Sequence, residues 1–531
     1  MARERERYDY VIVGAGSAGC VLANRLTEDE ACDVLLLEAG GPDEKREISI
    51  PVAFSELFQT DVDWDYHTVP QPELDDRELY WPRGKVLGGS SSINAMIYIR
   101  GHPTDYDHWA ALGNEGWGYE DLLPTFRRAE HNERIDDAYH GTGGPLNVAD
   151  QQSPNEMSRA FVSAATATGL PENDDFNGER QEGVGFYQVT QKDGERYSAA
   201  DAYLKPALDR PNLTARTHAH VTRVHFDGAR ATGVSYRQGG QDGTVVRVGA
   251  DAEVLLSGGA VNSPQLLMLS GIGPADHLRE YGIEVVADRP GVGRNLQDHL
   301  NTGVLCQSTE PVSLENAERL RNLARYLLFD SGPLTSNVAE SGGFVQLDED
   351  EPAPEVQFHF APNYFLRHGF DNPEGHGFGI GVTQVRPESR GRISLQSTNP
   401  FVAPRIDPNY LDAERDLEVL VEGLELAREI SQTAPLSDYR AAETHPGPDA
   451  TSETDLREHV RATAETIYHP VGTCRMGEGD RAVVDDHLRV HGVEGLRVVD
   501  ASVMPTLTSG NTNAPTIAIA ERAADLVREA R

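Results

Sequence analysis

Hydrophobic positions along the chain fall into short, sharply bounded runs. The first, Val11 to Val13, stops at Gly14, and Leu22 and Leu26 then recur at helical spacing. That pattern predicts a buried β-strand turning directly into a helix. A second run, Val34 to Leu37, reads as another buried strand, and the turn cluster Ala39 to Asp43 follows it. Pro51 to Pro72 has no sustained period and predicts an irregular excursion. Trp81 to Gly101 is rich in glycine and serine and reads as a small-residue turn leading into a helix. Leu213 to Val224 alternates into a pair of strands, followed by a hairpin with turns at Gly239-Gly240 and Asp242-Gly243. Ala252 to Leu256 is a buried-type strand feeding a glycine turn, Ser257 to Ala260. A helix is predicted over 412–430, a strand over 496–499, and a last helix from Pro515 onward. There is no internal repeat.

The first strand-turn-helix carries a specific chemistry. In Gly14-x-Gly16-x-x-Gly19, the first glycine permits the tight turn and the second lets backbone approach a pyrophosphate. The third lets helix pack closely on strand. The helix start, with Ser17 and Ala18, turns free N–H groups and a positive dipole end toward the phosphates. Glu38, at the end of the second strand, is placed to accept both hydroxyls of an adenosine ribose. These residues predict dinucleotide binding and leave NAD and FAD both open. The loop Gly84 to Asn94, with two adjacent glycines, three serines and an asparagine, can wrap a flat ring system or a phosphate.

Composition narrows the class. At 531 residues with 38% hydrophobic content and 51 glycines, the chain suits two or three domains of a loop-rich α/β protein. No run approaches ~20 apolar residues, so no spanning helix is expected. The mixed-charge start, Met1 to Arg7, lacks an apolar core and does not read as a secretion signal. Cys20, Cys32, Cys306 and Cys474 are scattered and predict a reduced, cytoplasmic protein. Eighty-five acidic against 47 basic residues give a net charge of −38, and only Lys45, Lys85, Lys192 and Lys205 are lysines. The acidity is spread along the chain and disfavours nucleic acid or an anionic membrane as partner. It suits solubility at high salt, a halophilic trait; the other reading is steering of a cationic substrate, which molar salt would screen. His469 and Cys474, and His487 and His491, share short spacings, but no set of three or four close ligands follows, so no metal is expected. No Gly-x-Ser-x-Gly pattern sits at a strand end.

Four stretches together resemble the glucose-methanol-choline (GMC) oxidoreductases, which are FAD enzymes. They are the opening motif, Gly84 to Asn94, Gly259 to Pro274, and a C-terminal set: His469-Pro470-Val-Gly472-Thr473, Asp500-Ala501-Ser502 and Gly510-Asn511-Thr512-Asn513-Ala514-Pro515. The resemblance spans about Tyr8 to Leu526. It implies an α/β FAD-binding Rossmann-type domain with an α+β substrate-binding cap containing an antiparallel sheet. The FAD domain would comprise 1–154, 206–305 and 463–531, the cap 155–205 and 306–462. By resemblance FAD contacts Gly14, Gly16, Ser17, Ala18, Gly19, Glu38, Ala39, Val86, Gly88, Gly89, Asn94, Ala95, Val221, Gly259, Asp500, Ala501 and Thr512. Ile93 stands where some members carry the histidine that links FAD covalently, so the cofactor should be non-covalent.

The family's chemistry removes a hydroxyl proton and passes a hydride to the flavin N5 atom. By resemblance His469 is the base, its imidazole suited to proton transfer near neutral pH. Gly472 would let backbone approach the flavin. Asn513 matches the position beside the base, where it would orient the substrate oxygen or cap the last helix. That helix would turn its positive end to the flavin. Glu340 matches a glutamate that contacts the trimethylammonium group in choline-oxidising relatives, with Trp64, Tyr364 and Phe365 as candidates for a cation–π cage. The expected reaction is oxidation of choline or another primary alcohol to the aldehyde, with electrons passed to a quinone or carrier. An oxidase using oxygen and a lyase without net redox are the alternatives, as is a degenerate flavin fold. A cytoplasmic protein, with loose membrane association left open, is the expected location.

Overall fold

The structure is a computed structural model, and it describes residues 6–530. Two seven-stranded sheets organise it. In the first, β1 (Arg7–Val13) is central, with β2 (Val34–Leu37) on one side and β7 (Thr244–Leu256) on the other, both parallel to it. β4 (Leu213–Arg216) extends the parallel set beyond β2, and β14 (Leu496–Val498) pairs in parallel with β7. β5 (Ala219–Asp227) and β6 (Arg230–Gln238) form an antiparallel flap on the far edge of β7. Val11 to Ile12 and Val34 to Leu35 are fully buried, as continuous apolar strands covered on both faces must be. Helix α1 (Ser17–Leu26) follows β1, and the C-terminal helix α6 (Asn513–Glu529) packs against it.

The second sheet is antiparallel, in the order β12 (Arg440–His445), β8 (Leu300–Ser308), β11 (Gly377–Gln384), β10 (Val356–Ala361), β9 (Ser341–Val345), β3 (Gly183–Phe186), with β13 (Glu465–Thr466) pairing β8 end-on. Helix α4 (Glu414–Gln432) covers one face through Leu417, Leu420 and Leu424, and α5 (Glu453–Thr463) packs on α4. The other face looks toward the mouth of the first sheet, where the strand ends and the N-termini of α1 and α6 converge.

Most predicted elements stand where their periodicity put them, including the 239–243 hairpin and a helix over 414–432. The expected segment boundary at 305/306 needs correction. It cuts β8, whose pairing from Leu300 onward is wholly with the second sheet, so that sheet begins at Leu300. The small-residue loop 81–101 forms a single 3₁₀ turn, Gly89–Ser92, and its helix begins later, at Pro103.

Candidate active site

One elongated cavity of about 410 Å³ runs between the two sheets. At one end lie Glu38, Ala39, Val221 and His220; Gly14, Gly16, Ser17, Ala18, Gly89 and Gly259 line its middle. His469, Asn511, Asn301 and His359 line the other end. The three glycines of the first turn divide their tasks. Gly14 holds φ +99°, and a Cβ there would sit 2.4 Å from the Ser257 carbonyl oxygen. A Cβ on Gly19 would lie 1.9 Å from the Gly14 oxygen, so only glycine lets α1 rest on the turn. Gly16 is different: an added Cβ would meet only Gly89 Cα, at 3.9 Å, and its open side faces the cavity. No side chain caps α1 or α6, so both leave first-turn N–H groups for a ligand.

Glu38 anchors the far end. Its Oε2 accepts from Ala15 N and its Oε1 from Gly40 N, both at 2.8 Å, leaving one lone-pair direction on each oxygen for a diol. Asp500 accepts from Gly259 N (2.9 Å), Ser263 Oγ (2.6 Å) and Ser502 N (2.8 Å), which fixes the glycine turn after β7. Burial pushes both carboxyls above the ordinary range, and these donors oppose it. Glycine backbone at the middle, a diol acceptor at one end and unfilled helix N-termini fit a flavin dinucleotide lying along the cavity.

At the other end His469 sits in a directed chain of hydrogen bonds. The His299 Nε2 atom is 3.1 Å from the Val385 carbonyl oxygen, and His299 Nδ1 is 2.9 Å from His469 Nδ1. A carbonyl only accepts, so His299 Nε2 carries the proton. Burial lowers His299 to about 3, so the ring is neutral and its Nδ1 is an acceptor. His469 Nδ1–H therefore donates to it, and His469 Nε2 is left with a free lone pair. The opposite end agrees with this assignment. Gln357 Nε2 donates to Asn511 Oδ1 (3.1 Å), which turns Asn511 Nδ2 toward His469 Nε2 at 3.3 Å. Burial, with His299, His359 and Arg83 nearby, holds His469 well below its ordinary pKa. It is a neutral imidazole with its basic nitrogen in the cavity.

The backbone at His469 is pinned from behind. Asp298 accepts from His469 N (2.7 Å), Thr466 Oγ1 (2.6 Å) and the Tyr410 hydroxyl. Burial pushes Asp298 up to about 6. Arg83 Nη2 donates to the Tyr468 carbonyl (2.5 Å), and Tyr468 adopts φ +74°. A helix could not present the ring this way; an irregular segment tied at three points can.

Comparison with known proteins bears directly on this geometry. The GMC oxidoreductase family model matches residues 8–301 and 387–520. The chain belongs to the GMC oxidoreductases. It is similar to an alcohol dehydrogenase (acceptor) of Pseudomonas putida, 49% identical over 98% of this chain and 95% of that one. It is also similar to the mitochondrial choline dehydrogenase of Homo sapiens, 46% identical over 99% of this chain and 91% of the other. Among solved structures, a pyridoxine 4-oxidase from Mesorbium loti superposes with a TM-score of 0.89 at 36% identity, over 98% of each chain. As a GMC oxidoreductase the chain is a flavoenzyme, and the cavity takes FAD.

Of the predicted cofactor positions, Gly14, Gly16, Ser17, Ala18, Glu38, Ala39, Gly89, Asn94, Ala95, Val221, Gly259, Asp500, Ala501 and Thr512 line the cavity. Gly19, Val86 and Gly88 stand behind it. Gly88 N donates to the Ala15 carbonyl (2.8 Å), and Val86 bridges Gly41. Three expectations are corrected. Asn513 lines the cavity but makes no hydrogen bond to His469 among the described residues: it lies in the first turn of α6, where its Oδ1 accepts from Ser17 Oγ at 2.6 Å, and Thr512 is the N-cap. Asn511, two residues earlier and outside the helix, makes that bond. Gly472 packs on Asn295, where a Cβ would lie 2.4 Å from its oxygen, and does not line the cavity.

Glu340 is the third. It is fully buried, and its carboxylate accepts from Ser158 Oγ (2.6 Å), Ser336 Oγ (2.6 Å) and Asn155 N (2.7 Å). It ties helix α2 (Glu156–Ala167) to β9 and is absent from the cavity wall. His299, Asn511 and His359 were missed in the sequence. So was Arg196, a buried guanidinium that donates to Asn94 Oδ1 (2.7 Å) and the Ser91 carbonyl (3.1 Å) behind the glycine-serine loop.

Proposed function

We propose that the protein oxidises an uncharged primary alcohol with an apolar body to the aldehyde, handing electrons to a quinone or other carrier. The observation that carries this is the state of the carboxylates around the cavity. Glu38 and Asp500 are committed to backbone and hydroxyl donors at the cofactor, and Glu465 pairs with Arg77 at 2.8 Å. With Glu340 sealed away, no unpaired carboxylate lines the wall near His469 among the described residues. The aromatic cage is not assembled either. Trp64 lies with Tyr66 and His220 at the Val221 end, with Lys85 Nζ 4.8 Å over its ring, and Tyr364 is buried behind the wall. Phe54, Phe58, Ile93, Val338, Ala361 and Phe365 instead form an apolar wall beside Tyr468. A quaternary ammonium there would meet ring faces only, with no carboxylate to neutralise it; an alkyl chain needs no counter-charge.

Bound FAD supplies the hydride acceptor. The chain's own residues do the rest. The apolar wall holds the carbon body and excludes water, Asn511 Nδ2 donates to the alcohol oxygen, and His469 Nε2 takes its proton. Ile93, at the covalent-attachment position, has no nucleophile, which supports non-covalent FAD. The acid-rich, lysine-poor composition supports a high-salt habitat, and the four buried cysteines support a reduced, cytoplasmic setting. The test is anaerobic absorbance at high salt. Linear primary alcohols should bleach the oxidised flavin band while choline does not. Bleaching by choline alone would overturn the substrate assignment, and no bleaching by either would overturn alcohol oxidation.

A further inference from the structure

Nine large hydrophobic side chains are strongly exposed among the described residues, and four of them lie on one short helix. That helix, α3 (Leu320–Phe329), exposes Leu320 at 83%, Leu327 at 60%, Leu328 at 72% and Phe329 at 72%. Leu320, Ala324, Leu327 and Leu328 recur at i, i+4, i+7 and i+8 and form one outward stripe, the spacing of a buried face in a chain that buries nothing there. Arg321 and Arg325 border the stripe one turn apart, and Arg319 precedes the helix. None of the three makes an ion pair among the described residues; Arg325 donates only to Ser331 Oγ. No acidic residue interrupts 319–329, although Glu318 and Asp330 flank it. In a chain of net charge −38 this is a cationic, leucine-rich exception.

The helix is not a loose appendage. Its inner side, Leu323 and Tyr326, packs with Ala317 and Leu334 on Ile50 and Val52. Val52 in turn packs on the cluster of Phe54, Phe58 and Val338 that walls the cavity. The outward stripe therefore lies behind the apolar wall of the active site, joined to it through the helix's inner side chains and Val52.

We propose that α3 docks the enzyme on a phospholipid bilayer, its leucine stripe entering the acyl boundary and its arginines meeting lipid phosphates. Amphipathic helices with Leu and Phe on one side and Arg on the other lie in that plane. No helix is long and apolar enough to cross a membrane, so the contact is one of lying on the surface. The proposal stands on the patch itself and holds whatever alcohol the cavity takes. The rest of the molecule, strongly acidic, opposes approach to an anionic bilayer at low salt, and screening removes that opposition because the Debye length shrinks from about 8 Å to about 3 Å at 1 M. Binding to anionic vesicles should rise with salt, the reverse of a simple basic patch.

The test is flotation of the holoenzyme with vesicles of phosphatidylcholine, alone and mixed with phosphatidylglycerol, at low and at molar salt. The comparison is Leu327→Ser/Leu328→Ser, which touches only exposed side chains. Wild type should float with both vesicle types at molar salt, and the double variant should partition roughly tenfold less or weaker still. Flavin bleaching by a soluble alcohol should be equal in the two. Failure of wild type to float at either salt, or equal flotation of both proteins, overturns the proposal. A lipid-free dimer that the variant dissociates would assign the face to a second copy and overturns it too.

Discussion

The hydrogen-bond chain through His469 can run in either direction at one of its ends and not at the other. At the Asn511 end the Gln357 and Asn511 amides can both turn over to accept a proton placed on His469 Nε2, at the cost of the bond that Gln357 Nε2 also gives the Tyr187 hydroxyl (3.3 Å). The Val385 carbonyl cannot reverse. His299 transmits that constraint to His469 Nδ1, and replacing it isolates the effect. In His299→Leu, a His469 Nδ1–H is buried without an acceptor. That costs ~1–3 kcal/mol, so moving the proton to Nε2 lowers the base-competent fraction by roughly 5- to 150-fold.

His299→Gln keeps both functions, since its amide nitrogen can donate to Val385 O and its oxygen can accept from His469 Nδ1. Stopped-flow flavin reduction under anaerobic conditions reads the step directly. The leucine variant should reduce its flavin about tenfold or more slowly with KM little changed, and glutamine should restore most of the rate. A leucine variant within threefold of wild type, or a glutamine variant as slow as leucine, would refute the argument that Val385 sets the tautomer. A merely space-filling histidine would show the opposite order, because leucine fills the apolar space better than glutamine does.

Other consequences separate the corrected residues from the expected ones. Asn511→Ala should slow flavin reduction by about 1.5–3 kcal/mol of barrier, the range for losing a hydrogen bond to developing charge. Asn513→Ala removes only the acceptor of Ser17 Oγ and should weaken FAD retention, read by gel filtration, more than the reduction rate. Glu340→Gln should lower the melting temperature and leave the choline-to-alcohol preference unchanged; altered preference would return Glu340 to the substrate site. Acid precipitation should release all yellow colour to the supernatant, and a coloured pellet would contradict non-covalent binding. Stability should depend on pH from both sides. Burial lowers His220, His359 and His459 to about 4 and His299 to about 3, so on acidification the unfolded chain takes protons the native state refuses. Stability is then lost as pH falls below about 6.5, each histidine contributing at most ~1.4 kcal/mol per unit; the carboxyls that burial raises, Asp298 (about 6), Glu38, Asp105, Glu340 and Asp500, oppose this as the native state takes up their protons first. His140, raised to about 9 between Asp175 and Glu130 against the cost of burial, contributes in the other sense and is lost as pH rises through that value. Thermal melts across this range should peak near about pH 7; a peak in acid would contradict the buried neutral histidines.

The division between what could and could not be read from the sequence follows the range of the forces involved. Gly14, Gly16 and Gly19 act within one strand-turn-helix and Glu38 ends the next strand, so spacing alone conveyed their geometry: a Cβ at Gly14 or Gly19 would strike backbone, and Glu38 turns its carboxylate to the first turn. His469 was legible because a motif of several residues surrounds it. Asn511 and Asn513 were not separable by motif, since both are asparagines beside Thr512. What separates them is where the helix begins. With Thr512 as N-cap, Asn513 is committed to the first turn and faces α1 from the last helix, whereas Asn511 keeps a free backbone and can turn to His469. A boundary shift of two residues exchanges their roles, and boundaries are the weakest part of any pattern reading. Glu340 failed for a different reason. A carboxylate in a serine- and glycine-rich stretch of a cap reads equally as a cation site or as a brace, and only the converging Ser158 and Asn155, more than 180 residues away in sequence, decide for the brace. His299 had no motif at all. Its role exists only because the start of β8 brings residue 299 beside residue 469 and Val385, just past β11, points its carbonyl at the ring, a juxtaposition of three segments whose partners the chain order does not name.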